Sequence, residues 1–153
     1  MDETIIANKS PHRGASLRRP AVLAWLRMAR INNKMERAAS EQTRANGLSL
    51  GQFDVLATVG AAPGMTQTEL AERLLVTKGN VCQLLDRMER DGLLMRCAEG
   101  RANHLHLTER GTALFETVVP EHETLIARQL SCLTRDEQIQ LHHLLRRVDS
   151  ALR

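Results

Sequence analysis

The stretch TKGNVCQLLDRMERDGLLM, residues 77–95, decides the fold. Its apolar residues Val81, Leu84, Leu85 and Met88 recur at steps that lay one stripe along a helix. Thr77 stands where an N-cap would, since its hydroxyl can accept a bond from an orphan backbone N–H. Gly92 suits the left-handed turn that ends helices. The other face carries Lys78, Asn80, Gln83 and Arg87, groups that reach phosphates and base edges. Upstream, Thr66-Gln67-Thr68-Glu69 has the pattern of a capping box and opens a short helix over 67–74. Two short helices with a tight joint, the second polar on its outer face, make a helix-turn-helix. The alternative is an ordinary helical hairpin inside a core.

The residues that follow favour the first reading. Leu93-Leu94-Met95-Arg96-Cys97 is a short apolar run, and 98–103 is polar and turn-rich. His104-Leu105-His106-Leu107 then alternates with the period of a half-buried strand. A hairpin directly after a recognition helix is a wing, with Arg101 near its tip. Guanidinium groups suit narrow minor grooves, where the potential is most negative. The alternation puts His104 and His106 on the wing's solvated side. Together with Cys97 they fall short of the four ligands of a metal site, so neither metal nor cofactor is expected.

The chain has 153 residues, enough for one domain with a buried core. Hydrophobic residues at 42% and charged residues at 25% are ordinary globular proportions. With Trp25, Phe53 and Phe115 as its only aromatic residues, the core must rest on aliphatic side chains, which suits helices. The net charge of +3 is a mild bias. Residues 1–46 hold nine Lys/Arg against four Asp/Glu, whereas residues 60–110 hold seven of each. Positive surface on the reading head must therefore come from segregation onto one face. Cys82, Cys97 and Cys132 form no CxxC pair and leave an odd count, as expected of reduced thiols in a cytoplasmic protein. No stretch has the length of a signal-peptide core or a membrane span.

Residues 1–19 are polar and read as a flexible N-terminal arm. Pro20 fits a first helical turn. From there Trp25, Met28, Asn32, Met35 and Ala39 form a heptad-like seam over about two heptads. Such a seam packs on its own domain or on a partner, and Asn32 could set register across a two-fold. Asn46-Gly47 ends this helix; Ser49 caps the next, with Phe53, Leu56 and Val59 inward and Gly60 closing it. After the wing, Thr108-Glu109-Arg110-Gly111 opens a long helix, in which Pro120 predicts a kink or break near Val119. Thr134-Arg135-Asp136-Glu137 is a further capping box, opening a last helix with Leu141, Leu144, Leu145, Val148 and Leu152. The expected organisation is an arm at 1–19, a dimerisation helix at 20–47, a winged helix-turn-helix at 48–108 and C-terminal dimerisation helices at 109–153. The fold class is mainly α with a small β-hairpin wing. The apolar surface left over on the terminal helices points to a homodimer, which would set two recognition helices about one DNA turn apart.

With these segments in place, the chain resembles the MarR family of bacterial transcriptional regulators. The matching residues are LGQFDVL at 50–56, MTQTELAERL at 65–74, VTKGNV at 76–81, LLDRMERDGL at 84–93 and LTERG at 107–111. The resemblance implies a winged helix-turn-helix whose terminal helices build a homodimer. It implies repression from palindromic operators, with release by a small phenolic or lipophilic ligand or by cysteine oxidation. Carried onto this chain, Thr66 and Gln67 meet the DNA backbone, and Thr77, Lys78, Asn80, Cys82, Gln83 and Arg87 belong to the recognition helix. Glu99 and Arg101 match the acidic residue and second arginine of the family's wing motif. Trp25, Met28 and Phe53 fall where walls of the effector pocket would be. The departures are Gly100 in place of the motif's first arginine, a shorter wing, and Cys82 in place of a small polar residue.

Asn80 and Gln83 are the expected base contacts, because amide side chains bond adenine bidentately. Lys78, Arg87 and Thr66 are assigned to phosphates, and Arg101 to the minor groove. Cys82 lies near a helix N-terminus with Lys78 one turn earlier, both of which favour a reactive thiolate, so a thiol-based redox sensor is the alternative to ligand release. The chain has no Gly-rich phosphate loop, HExxH or GxSxG element, which argues against an enzyme. The remaining class is a winged-helix adaptor that binds protein instead of DNA.

Overall fold

The computed structural model describes residues 19–100 and 102–152. The order is α1 (Pro20–Ala45), α2 (Leu50–Ala61), α3 (Gln67–Leu74), α4 (Lys78–Arg90), β1 (Leu94–Glu99), β2 (Ala102–Leu107), α5 (Glu109–Gln129) and α6 (Arg135–Ala151). The expected arm at 1–19 lies, but for its last residue, outside the described residues. The described residues divide into two units, 19–37 and 38–152. In the first, α1 leaves Leu23, Trp25, Leu26, Met28 and Ile31 exposed.

The second unit is built on α2, which packs against α3, α4, α5 and β2. Ser49 opens it with a full capping box: its hydroxyl accepts the Gln52 N–H, and its own N–H donates to Gln52 Oε1. The core comprises Val55, Leu56 and Val59 of α2, Leu70 of α3, and Val81, Leu85 and Met88 of α4, with Leu105 and Val118. Each such side chain contributes roughly 1.5–3 kcal/mol by leaving water. Gly60 does not close α2, which continues to Ala61. A Cβ on Gly60 would lie 2.3 Å from the Phe115 ring, so the glycine admits α5 to close packing.

The wing pairs antiparallel from Leu94↔Leu107 to Glu99↔Ala102. The ladder therefore runs through most of the stretch expected as turn, and Gly100, directly after its last pair, has φ +64°. The 64–66 segment adds a third edge, because Gly64 N–H donates to Leu105 O and Leu105 N–H to Met65 O. This edge corrects the expected place of the two histidines. His104 and His106 are half-buried, and His104 Nδ1 bonds Gly64 O at 2.7 Å.

Of the kink or break predicted near Val119, the break does not occur. Helix α5 runs through Pro120, and that residue is exposed, so water can satisfy the carbonyl that its missing N–H leaves free. Helix α6 starts at the expected Thr134–Glu137 box, and none of its residues is buried.

Helix α3 ends at Leu75, the one described non-glycine residue with positive φ (+53°). Its backbone caps the helix, the Leu75 N–H donating to Glu72 O and the Val76 N–H to Ala71 O, but its side chain is 91% exposed, so no side-chain packing in the protomer offsets the left-handed backbone. Leu75→Gly should raise stability by roughly 0.5–1 kcal/mol, the left-handed penalty less glycine's extra chain entropy. Chemical denaturation reads this directly, and a loss of stability would show that the leucine is held by contacts outside the protomer.

Candidate nucleic-acid interface

Helix α4 separates its residues cleanly by face. Val81, Leu85 and Met88 are buried, while Thr77, Lys78, Asn80, Cys82, Gln83 and Arg87 are all exposed. Thr77 Oγ1 accepts the Asn80 N–H at 3.3 Å, so its hydroxyl is the N-cap. At the end of α4, Gly92 takes the left-handed turn at φ +69°. Among the described residues neither Lys78 nor Arg87 has an ion-pair partner. Their charges are available to an anionic surface.

Helix α3 sets the angle at which α4 is presented. Thr66 Oγ1 accepts the Glu69 N–H at 3.2 Å and donates to Glu69 Oε2 at 2.9 Å, and the Thr66 N–H donates to the same oxygen at 2.7 Å. These bonds, the backbone one first, hold the Glu69 carboxyl below the usual carboxylate range. Both donors of Thr66 are thus engaged by the box. Gln67, the first residue of α3, is half-exposed.

The acidic side of α4 is where the residues do something that sequence reading did not anticipate. Arg96 on β1 donates to Asp86 Oδ1 at 2.8 Å and to Glu89 Oε2, and its backbone N–H donates to Glu89 Oε1 at 3.1 Å. Its Nη2 also reaches Cys82 O at 3.5 Å. Burial opposes the charge on Arg96, but hydrogen bonding to Asp86 and the charge of Glu89 keep its pKa raised. The signal available in the sequence was an arginine inside an otherwise apolar strand.

Of the wing residues, Arg101 lies outside the described residues, and Glu99 closes the ladder opposite Ala102 through its backbone. Among the effector-pocket candidates, Phe53 is buried, with its ring 4.5 Å from that of His122, whose Nδ1 contacts Gln42 Oε1. Trp25 and Met28 are exposed. No helix of the described residues is long and apolar enough to cross a membrane, and no cluster of three metal-ligating side chains occurs among them.

A helix-turn-helix with an uncovered polar second helix and a hairpin behind it defines a winged-helix DNA-binding protein. Comparison with known proteins agrees. The model of the MarR family matches residues 46–102. An HTH-type transcriptional regulator of Bacillus cereus is 34% identical over 130 residues, covering 82% of this chain and 86% of its own. The HTH-type transcriptional repressor MdtR of Bacillus subtilis is 30% identical over 122 residues, covering 78% and 79%. In the crystal structure of the S. aureus MepR–DNA complex, the similar chain superposes with a TM-score of 0.75 at 26% identity, covering 85% of this chain and 96% of that one. The chain belongs to the MarR family of DNA-binding transcriptional regulators.

Proposed function

We propose that this protein represses transcription in the cytoplasm by occupying an inverted-repeat operator as a homodimer. The observation that carries this reading is the face of α4, where Lys78, Asn80, Gln83 and Arg87 are exposed while the helix's acids are tied to Arg96. Asn80 and Gln83 read base edges in the major groove; Lys78 and Arg87 neutralise phosphates, with Gln67 and Thr77 at the backbone and Arg101 reaching the minor groove, while Thr66, its donors held by Glu69, fixes the start of α3 instead of donating to a phosphate. Residues 48–108 form the DNA-binding head, and the helices at 20–47 and 109–153 hold the two copies together. The uncovered apolar residues of α1 and α6 support the pairing. Release by a small lipophilic or phenolic effector follows the family pattern.

The test is fluorescence anisotropy with the duplex upstream of the protein's own gene against a scrambled duplex, over a salt series. Wild type should bind the native duplex more tightly, with an affinity that falls steeply with salt as counterions are released. Gln83→Ala should lose about 1–3 kcal/mol on the native duplex, roughly five- to 150-fold, and little on the scrambled one. Equal loss on both would make Gln83 a phosphate contact. Equal, weak binding of wild type to both duplexes would replace the repressor reading with that of a protein-binding adaptor.

A further inference from the structure

Helix α4 carries two carboxylates on the element that must approach a polyanion. Asp86 directly precedes Arg87, and its side chain is 60% exposed; Glu89 lies one turn nearer the C-terminus. Unpaired, both would repel phosphates. The structure meets them with a residue from another element. Arg96 pairs with Leu105 across the wing, a position whose partner is fully buried, and its own side chain is only 18% exposed. A guanidinium on the inner face of a hairpin needs acceptors, and α4 supplies a carboxylate for each arm of the fork together with the Cys82 carbonyl. The contacts fall at residues 82, 86 and 89, so one side chain braces α4 over about two turns.

We infer that Arg96 is the positioning residue of the DNA interface. Its single charge offsets one of the two on Asp86 and Glu89 and holds both carboxylates to the wing side of the recognition helix, locking that helix to the wing so that both enter DNA as one piece. Being mostly buried, with both guanidinium arms on carboxylates and its Nε buried without a partner among the described residues, it is not itself a phosphate contact. A wing that moves carries α4 with it, because the Arg96 N–H and guanidinium hold the same carboxylate of Glu89. The inference rests on the DNA-binding role of α4.

The experiment measures affinity for the native duplex across a salt series for four proteins: wild type, Arg96→Met, the pair Asp86→Asn with Glu89→Gln, and all three substitutions together. Arg96→Met should weaken binding about tenfold, the scale of coupling within one salt-bridge network. In the background without the two acids, the same substitution should cost no more than about threefold, because no charge is left to unmask. The four proteins are compared at a temperature where circular dichroism shows each of them folded, because a folding defect confined to Arg96→Met would imitate the expected loss. Wild-type affinity in Arg96→Met, or an equal loss in both backgrounds, would overturn the inference. The second result would assign Arg96 to direct DNA contact or to folding alone. Wild type that fails to prefer the native duplex would overturn the DNA reading itself, whereas binding by wild type with unchanged Arg96→Met overturns only the role given to Arg96.

Discussion

Gly111→Ala is expected to lower stability by about 3 kcal/mol or more, which for a chain of this size is a fall in Tm of roughly 6–12 °C. A Cβ at Gly111 would stand 1.9 Å from the Leu93 carbonyl oxygen and 3.3 Å from Leu107 Cβ. The first neighbour is backbone, and it cannot swing aside as a side chain would. Leu93 O accepts the Thr108 N–H at 3.2 Å, and Thr108 Oγ1 donates to Gly92 O while accepting the Gly111 N–H. The end of α4, the start of the wing and the first turn of α5 are therefore joined at one point, through which an added methyl must drive two elements apart. The higher helix propensity of alanine returns about 1 kcal/mol, too little to offset the clash. Thermal unfolding followed by circular dichroism reads the difference. A Tm within about 2 °C of wild type would mean that α5 can shift on the wing without loss.

What was legible in the sequence was local. The boxes at Thr66/Glu69 and Thr134/Glu137 and the Thr77 cap join residues three apart, so their geometry follows once the helix exists. The apolar stripe of α4 was readable for the same reason, since its period needs no knowledge of what it packs against. Contacts between distant residues were not readable. His104 finds Gly64 O across forty positions because the 64–66 segment becomes a third edge of the wing, and alternation alone cannot say which strand face that edge covers. Gly60 looked like punctuation but serves packing, because its partner Phe115 arrives from another helix. Pro120 looked like a break, yet the solvent exposure that lets the helix pass is a tertiary property.

Arg96 illustrates the same division within the candidate site. Lys78, Asn80, Gln83 and Arg87 could be named from helical spacing, since each only had to avoid the apolar stripe. The pairing of Asp86 and Glu89 with Arg96 depends on β1 folding back along α4, and a count of seven basic and seven acidic residues over 60–110 hides it. Lys78 and Arg87 stand exposed on α4 while the helix's acids are drawn to Arg96, so the charges separate by position and not by an excess of cations.

On the proposed homodimer, Leu144→Glu should yield a monomer and weaken binding to the proposed operator at least about a hundredfold, the scale by which linked sites gain over single ones. Within one protomer Leu144 is 50% exposed, and Leu145, Val148 and Leu152 are also exposed along α6, so the substitution removes no core contact. Its cost to the protomer should stay within about 0.5 kcal/mol, as for other surface changes. Across a two-fold interface the same carboxylate appears twice, each facing apolar surface without a partner, and burying an unpaired charge costs several kcal/mol. One half-site cannot supply the affinity of two recognition helices held at fixed spacing. Analytical ultracentrifugation at micromolar concentration reads the mass, anisotropy reads the affinity, and unfolding shows that the head is intact. If the mass stays at twice the protomer, α6 does not form the interface, and α1, with Leu23, Leu26 and Ile31 exposed, becomes the element that must hold the pair.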